Sequence, residues 1–139
     1  MRFAPLVAVD FIITDPDGRI LVGRRMNEPA RGTYFVPGGA IRKNETINTA
    51  FSRLLQIETG LSIRLTDARF LGVYEHFYAK NRFGEEGYGT HYVVLAYELL
   101  LDHHPALERD SKHSDFRWLA KADLVAMEDV HANTKAYFV

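Results

Sequence analysis

The sequence predicts an α+β protein in which helices cover both faces of a sheet, an α/β/α sandwich. Its 139 residues suit one domain with one hydrophobic core. Strand-like segments begin the chain and recur after a helix with one apolar face, and a shorter helix is predicted near the C-terminus. Strands layered against helices are typical of this class. We therefore predict that residues 1–139 form a single domain.

The chain opens with a predicted hairpin. Residues 6–14 are rich in β-branched and apolar side chains and predict a strand. The tetrapeptide DPDG at 15–18 predicts a turn, because proline presets φ and glycine accepts positive φ. Residues 19–25 form the returning strand. A short strand is then predicted at 33–36, ending before Pro37.

One long helix is predicted at residues 45–58, with Asn44 as its N-cap and Gly60 in the left-handed position after its end. Apolar residues at helical spacing predict its buried stripe, which comprises Ala50, Leu54, Ile57 and Leu61. The remaining predicted elements are strands at 70–78, 90–101 and 116–119, a polar loop at 80–89 and a short helix at 121–127.

Composition narrows the possible function classes. Apolar residues make up 47% and charged residues 25%, as in soluble globular proteins. The formal net charge of -1 gives no general attraction to nucleic acid or to an anionic membrane. The absence of cysteine excludes disulfides, thiolate zinc sites and thiol nucleophiles. Asp10 interrupts the apolar N-terminal stretch, so no signal peptide is predicted and a cytoplasmic location is expected.

A spaced motif follows the short strand. Gly39 is separated by five residues from Glu45 and by a further seven from Arg53, which precedes LLQIETGL. This spacing resembles the Nudix box, which ends in Arg-Glu-apolar-x-Glu-Glu-x-Gly-apolar. An ordinary capped helix would explain the glycine stop and the apolar stripe, but not the combination of charged residues. The matching positions are Gly39, Glu45, Arg53, Leu55, Glu58, Gly60 and Leu61.

The chain is thus identified as a member of the Nudix superfamily, which implies a mixed β-sheet with the loop and helix of the box packed on it. Leu54 and Ile57 depart from the box, which has glutamate at both positions. Three glutamates on one helix face could hold two or three divalent ions and favour water attack at phosphorus. Glu58 with a backbone carbonyl would hold at most one hard cation.

One ion can stabilise a diphosphate leaving group but is poorly suited to generating hydroxide. The missing acids therefore favour attack at the anomeric carbon of a nucleoside diphosphate sugar. Such a reaction has an oxocarbenium-like transition state and needs a base. Histidine is well suited to that role near neutral pH.

The same loss of acids is found in the GDP-mannose mannosyl hydrolase subgroup. The similarity runs through PLVAVDFII, YFVPGG, GVYEHFY, THYVVLAYE, HSDFRWL and DVHANTKAYF. It implies hydrolysis of GDP-mannose, with GDP-glucose as a further candidate, to GDP and free sugar with inversion. It also implies one magnesium ion and a homodimer.

The resemblance assigns roles to individual residues. Glu58 and the backbone carbonyl of Gly38 are expected to bind the metal, and His113 is expected to be the general base. Asp10 and Arg25 are expected to take part in catalysis, with the planar guanidinium of Arg25 on the diphosphate. The expected substrate-binding residues are Arg25, His76, Tyr92 and Lys112. The residues expected to shape the loop and helix are Gly39, Glu45, Arg53 and Gly60.

Several of these residues also have a purely structural interpretation. An unpaired buried carboxylate is costly, so Asp10 either faces a polar cleft or has a partner. Arg53 and Glu45 could form an ion pair rather than contact substrate. His76 and Tyr92 could be satisfied core groups. The pair His131 and Asn133 could organise a C-terminal turn or a dimer contact.

Two positions depart from the subgroup. Lys112 replaces a glutamine that ligates the metal there, and an ammonium has no lone pair to offer a cation. Ala40 replaces a diphosphate-binding arginine. We expect the Lys112 charge to stabilise the departing diphosphate and the magnesium ion to bind weakly. Two alternatives stay open: a pyrophosphohydrolase that attacks phosphorus, and a non-catalytic nucleotide-sugar-binding protein.

Overall fold

A computed structural model describes residues 4–25, 32–78, 90–106 and 113–138. For Arg25 and for residues 113–115 it describes the backbone. The elements, in chain order, are β1 (Leu6–Thr14), β2 (Ile20–Arg25), β3 (Tyr34–Phe35), β4 (Gly38–Ala40), α1 (Ile47–Thr59), β5 (Arg69–Tyr78), β6 (Thr90–Leu100), β7 (His113–Leu119), α2 (Lys121–Ala126) and α3 (Ala132–Lys135). Short 3-10 helices occupy Leu65–Asp67 and Ala136–Phe138.

The strands form a mixed sheet in the order β3-β2-β1-β6-β5, with β4 paired to β1 and β7 paired to β2. The β1–β6 pair is parallel, and the other strand pairs are antiparallel. Strand β6 lies along one side of β1. The other side is shared, because β2 pairs at Thr14 and β4 pairs at Ala8, Val9 and Asp10. The central strand β1 therefore pairs directly with β4, which contains Gly39, the first matching residue of the Nudix box.

Hydrophobic residues form a core on each face of the sheet. One face carries α1, whose Phe51, Leu54 and Leu55 pack against β1 residues that include Val9 and Phe11. The opposite face carries α2 and the C-terminal segment, and its core includes Ile12, Val22, Tyr34, Leu124 and Val130. Alternation along β1 thus sends neighbouring residues into two cores. The α+β prediction, with helices on both faces, is confirmed.

Helix α1 differs from its prediction in its N-cap residue and in one residue of its buried stripe. Its N-cap is Thr46, whose hydroxyl accepts from the Thr49 N–H at 3.1 Å, and not Asn44, which has φ 66°. The side chain of Ile57 is 53% exposed, so its assignment to the buried stripe was wrong. It lies about 100° around the helix axis from its buried neighbour Glu58. Gly60 has φ 78° and ends the helix as predicted.

Other boundaries are close to the predicted ones. Strand β1 has the predicted limits, while β7 begins three residues before residue 116. The short strand β4 was not predicted, since PGG suggested a turn. The predicted loop at 80–89 lies outside the described residues. No helix in the described part of the chain is long and apolar enough to cross a membrane.

Candidate functional site

An ion pair joins Glu45, in the loop of the Nudix box, to Arg53 in its helix. Arg53 donates from Nε to Glu45 Oε2 at 2.7 Å, and from its NH2 nitrogen to Glu45 Oε1 at 2.9 Å. The same NH2 nitrogen donates to the Ala40 carbonyl at 3.0 Å. The hydrogen bond from Arg53 lowers the pKa of Glu45 to about 2. The ion pair that the structural interpretation expected is present, and Arg53 ties α1 to β4.

Glu58 is the acid of α1, since the helix sequence INTAFSRLLQIET contains one carboxylate. Its side chain is fully buried in the last turn of the helix. The hydrogen bond that Arg53 donates to Glu45 raises the pKa of Arg53, and the negative charge of Glu58 raises it further. Leu54, which replaces a box glutamate, is 3% exposed and packs in the core. The helix therefore presents one buried carboxylate beside the Arg53 network.

Gly38 brings β4 against Asp10. The two residues are opposite each other in the β1–β4 pair. A Cβ atom at Gly38 would overlap both Asp10 Oδ1 and the Val9 carbonyl oxygen. Only glycine therefore allows this approach. The carboxylate of Asp10 and the backbone of the box are neighbours as a result.

Asp10 has a partner that the sequence did not reveal. The Tyr137 hydroxyl donates to Asp10 Oδ2 at 2.6 Å and lies 3.3 Å from His76 Nε2. Burial lowers the pKa of His76 to about 4, and the charge of His131 acts in the same direction. Burial and the nearby Asp10 raise the pKa of Tyr137, so its hydroxyl stays protonated. The structure thus joins β1, β5 and the C-terminal segment through Asp10, His76 and Tyr137.

Aromatic side chains pack next to the cluster of Asp10, His76 and Tyr137. Tyr92 lies opposite His76 in the β5–β6 register, and its ring centroid is 6.0 Å from that of Tyr78. Tyr78 is 5.2 Å from the ring of His131, which stacks on Phe35 at 4.7 Å. His131 Nδ1 accepts the N–H of Asn133 at 3.0 Å, so His131 caps α3. This cap agrees with the reading that His131 organises the C-terminal turn.

The backbone positions two further predicted residues. Arg25 lies opposite His113 in the β2–β7 pair, next to an irregularity between Gly23 and Arg25. The side chains of Arg25 and His113 lie outside the described atoms, as does the whole of Lys112. The assigned roles of these three residues therefore stay predictions.

The oxygen donors of the predicted metal ligands suit a single hard cation. Glu58 offers a buried carboxylate, and the predicted second ligand is the Gly38 carbonyl. Carboxylate and carbonyl oxygens are the ligands that Mg²⁺ prefers. Asp10 lies beside Gly38 and adds negative charge there. The donor chemistry of these residues is therefore compatible with one divalent ion.

A different group of possible ligands lies at the first turn, where Asp15, Asp17 and His104 come together. Arg19 forms an ion pair with this group, since its Nε donates to Asp15 Oδ2 at 2.9 Å. Asp15 Oδ1 accepts the backbone N–H groups of Asp17 and Arg19 at 2.9 and 2.8 Å. These bonds stabilise the hairpin turn, and they explain the cluster without a metal.

Tyr137 is the residue that sequence reasoning missed. Its segment, DVHANTKAYF, contributed to the family resemblance, but no role followed for the tyrosine. Residue 137 is 127 positions from Asp10 and 61 from His76. No periodicity or motif spacing links residues so far apart. The order of strands in the sheet would have been needed to find the contact.

Comparisons with known proteins agree with the fold. A NUDIX domain family model matches residues 4–139. The low-salt glycan biosynthesis protein Agl8 of Haloferax volcanii is 42% identical over 114 residues, covering 81% of this chain and 69% of that protein. The crystal structure of a MutT NUDIX hydrolase from Burkholderia pseudomallei has a TM-score of 0.77 at 25% identity, covering 97% of this chain and 96% of that chain.

A third relative matches over a shorter span. An ADP-ribose pyrophosphatase of Methanocaldococcus jannaschii is 41% identical over 70 residues, which is 50% of this chain and 40% of that protein. The chain thus matches less than half the length of that relative. The family match covers nearly all of the sequence, includes the box, and agrees with the observed fold. The chain belongs to the Nudix family of hydrolases.

Proposed function

We propose that the protein hydrolyses a nucleoside diphosphate sugar, with GDP-mannose as the leading substrate and GDP-glucose as a second candidate. Water attacks the anomeric carbon, and GDP and free sugar with inverted configuration are the products. One observation carries this proposal. Helix α1 supplies a single carboxylate, Glu58, because Leu54 is buried in the core and Ile57 is apolar.

The number of carboxylates matters because of what metal ions do in each reaction. Attack at phosphorus benefits from several ions that activate water and neutralise charge on the phosphoryl group. Attack at carbon needs charge neutralisation on the departing diphosphate alone. Nudix hydrolases use divalent metal ions. In this chain Glu58 and the Gly38 carbonyl would hold one Mg²⁺, which would neutralise part of the diphosphate charge.

The proposed reaction assigns a task to each predicted residue. His113 accepts a proton from the attacking water while the bond between the anomeric carbon and the diphosphate oxygen breaks. The leaving oxygen keeps the electron pair, and the guanidinium of Arg25 contacts the diphosphate. The negative charge of Asp10 stabilises the positive charge that develops on the sugar ring.

The other assigned residues contact the substrate. His76 and Tyr92 bind the sugar side, and the Lys112 ammonium stabilises the departing diphosphate. A relative named for glycan biosynthesis supports a substrate that contains a sugar. The homodimer and the cytoplasmic location stay predictions from the resemblance and the composition.

A second candidate reaction is attack at phosphorus. The similarity to an ADP-ribose pyrophosphatase favours it, although that match covers half of this chain. The expected products then differ, because a nucleoside monophosphate and a sugar phosphate would form. The single carboxylate on α1 argues against this reaction.

Product analysis separates these reactions. The protein is incubated with magnesium and a panel of nucleotide sugars in water enriched in ¹⁸O. GDP and labelled free mannose are expected. GMP and mannose phosphate, with label in a phosphate, would overturn attack at carbon. Binding of nucleotide sugars without turnover would instead support the non-catalytic alternative.

The proposed base has its own test. Replacing His113 with alanine should lower kcat roughly 10²–10⁴-fold, the usual contribution of a general base, while substrate affinity changes little. His103→Ala is the matched control, since His103 is exposed and pairs with Asp102 at a surface turn. Near-normal turnover in His113→Ala would show that another group is the base.

A further inference from the structure

Tyr137 connects two residues of the candidate site with a single hydroxyl. That hydroxyl carries one hydrogen and two acceptor lone pairs. Its hydrogen goes to Asp10, because an ionised carboxylate can only accept and the distance is 2.6 Å. The contact with His76, at 3.3 Å, must therefore run in the other direction. The Tyr137 oxygen accepts, and His76 Nε2 donates.

This direction fixes the form of the His76 ring. A neutral imidazole carries one hydrogen, so a ring with Nε2–H has an unprotonated Nδ1 that can only accept. His76 is buried, which disfavours the charged ring with two N–H groups. Among the side chains that the structure describes, the ionisable groups that face this ring or the Tyr137 hydroxyl are Asp10 from β1, Tyr74 and Tyr78 from β5, and His131 from the C-terminal segment.

We propose that Tyr137 is a positioning residue that holds His76 as the Nε2–H tautomer, so that Nδ1 accepts a hydrogen bond from a sugar hydroxyl. The sugar contact rests on the proposed function, whereas the tautomer rests on the three-residue geometry alone. A histidine held in this form selects hydroxyl donors and offers no charge to a phosphate. The tyrosine thereby favours a sugar over a second phosphate on this side of the site.

The surroundings of Tyr137 hold its hydroxyl in place. Its ring meets Tyr74 edge-on at 4.7 Å, and the segment before it is bonded to β3. The N–H of Tyr34 donates to the Asp129 carbonyl at 2.7 Å, and the N–H of His131 donates to the Tyr34 carbonyl at 3.1 Å. These bonds position the C-terminal segment independently of the Tyr137 hydroxyl. Replacing tyrosine by phenylalanine should therefore remove one oxygen and leave the packing intact.

The test measures the tautomer directly. Long-range ¹H–¹⁵N correlation spectra of the ¹⁵N-labelled full chain are recorded without substrate, and His76→Gln assigns the His76 signals. In the wild-type protein the proton should be on Nε2. In Tyr137→Phe the acceptor is gone, so the fraction of the Nδ1–H tautomer should rise severalfold. Tyr74→Phe is the matched control, because it removes a hydroxyl from the adjacent ring and should leave the tautomer unchanged.

Turnover of GDP-mannose is the second measurement. We expect kcat/KM to fall about tenfold in Tyr137→Phe, as for the loss of one well-formed hydrogen bond, and to stay within about twofold of wild type in Tyr74→Phe. A wild-type His76 with its proton on Nδ1 would overturn the inference, even if Tyr137→Phe did not fold. An unchanged tautomer and an unchanged kcat/KM in a folded Tyr137→Phe protein would overturn it as well. A wild-type protein with the Nε2–H tautomer but without sugar hydrolysis would support the inference and contradict the proposed function.

Discussion

Two hydrogen-bonded networks meet at β4, and they differ in how far apart their members lie in the sequence. The box network joins Arg53 to Glu45 and to Ala40, over separations of 8 and 13 residues. The strand network joins Tyr137 to Asp10 and to His76, over 127 and 61 residues. The first can be recognised from spacing, whereas the second exists only because the sheet order brings β1 beside β6 and β5.

The two networks also differ in chemistry. The box network pairs two charges and holds a loop against a helix, which is a structural task. The strand network holds one carboxylate, one neutral histidine and one hydroxyl. We therefore expect substitutions in the strand network to change turnover, and substitutions in the box network to change stability.

Among substitutions in the two networks, the largest effect is expected at Asp10 in the strand network. Asp10→Asn should lower kcat roughly 10²–10³-fold, because the amide still accepts from Tyr137 but has no charge to stabilise the positive sugar ring. Steady-state kinetics with GDP-mannose measure this change. Asp67→Asn is the control, since Asp67 is exposed and pairs with Arg64 at the surface. A wild-type kcat in the Asp10→Asn protein would show that the strand network, like the box network, has a structural task.

A smaller effect is expected where the two networks touch. Gly38→Ala should lower the free energy of unfolding by about 1–3 kcal/mol, because the added methyl group overlaps Asp10 and the Val9 carbonyl. Urea denaturation measures the change. In an Asp10→Ala background part of the overlap is gone, so the added cost of Gly38→Ala should be smaller. Equal costs in both backgrounds would contradict the close approach of these residues.

The box network should control stability in acid. The pKa of Glu45 in the folded chain is about 2, below its ordinary value of 4.5. A carboxyl group with a lowered folded pKa stabilises the fold above its unfolded pKa, and this contribution is lost as the pH falls through the folded value. Glu45→Gln should therefore be less stable than wild type at pH 7, and the difference should shrink between about pH 5 and pH 2.

Thermal unfolding across this pH range measures the difference. Glu128→Gln is the control, because Glu128 is exposed and has no part in the network. A constant difference between Glu45→Gln and wild type from pH 7 to pH 2 would show that the Arg53 pair does not govern the acid response.

The smallest effect on stability is expected at an exposed position of α1. Ile57→Glu restores one box carboxylate at a side chain that is 53% exposed, so the free energy of unfolding should change by about 0.5 kcal/mol or less. The added charge lies next to Glu58 and should tighten magnesium binding, as measured by isothermal titration calorimetry. Leu54→Glu is the contrasting variant, since it would bury a carboxylate in the core. Unchanged magnesium affinity in Ile57→Glu would place the metal away from this end of the helix.

The sequence predicted features that depend on near neighbours. The limits of β1, the glycine end of α1 and the pairing of Arg53 with Glu45 all follow from local pattern and spacing. The errors have local causes as well. Both Asn44 and Thr46 can cap a helix, and only the positive φ of Asn44 excludes it. Helical periodicity placed Ile57 in the stripe, although the core does not extend to that edge of the helix.

Features that depend on topology could not be predicted. A partner for Asp10 was one of two expected arrangements, since a carboxylate in an apolar strand either has a partner or faces a polar cleft. The identity of the partner could be found only from the fold. The roles of His113, Arg25 and Lys112, the single domain over residues 1–139 and the GDP-mannose subgroup stay predictions. The family and the layered fold are confirmed.

The hydrogen bond between Tyr137 and Asp10 has a consequence for how the protein folds during its synthesis. Residue 10 leaves the ribosome 127 residues before residue 137. Strand β1 can therefore pair with β6 on the nascent chain, but the Asp10 carboxylate must wait for the tyrosine. A chain that stops before residue 137 can contain every element from β1 to α3 and still lack the network that binds Asp10 to His76.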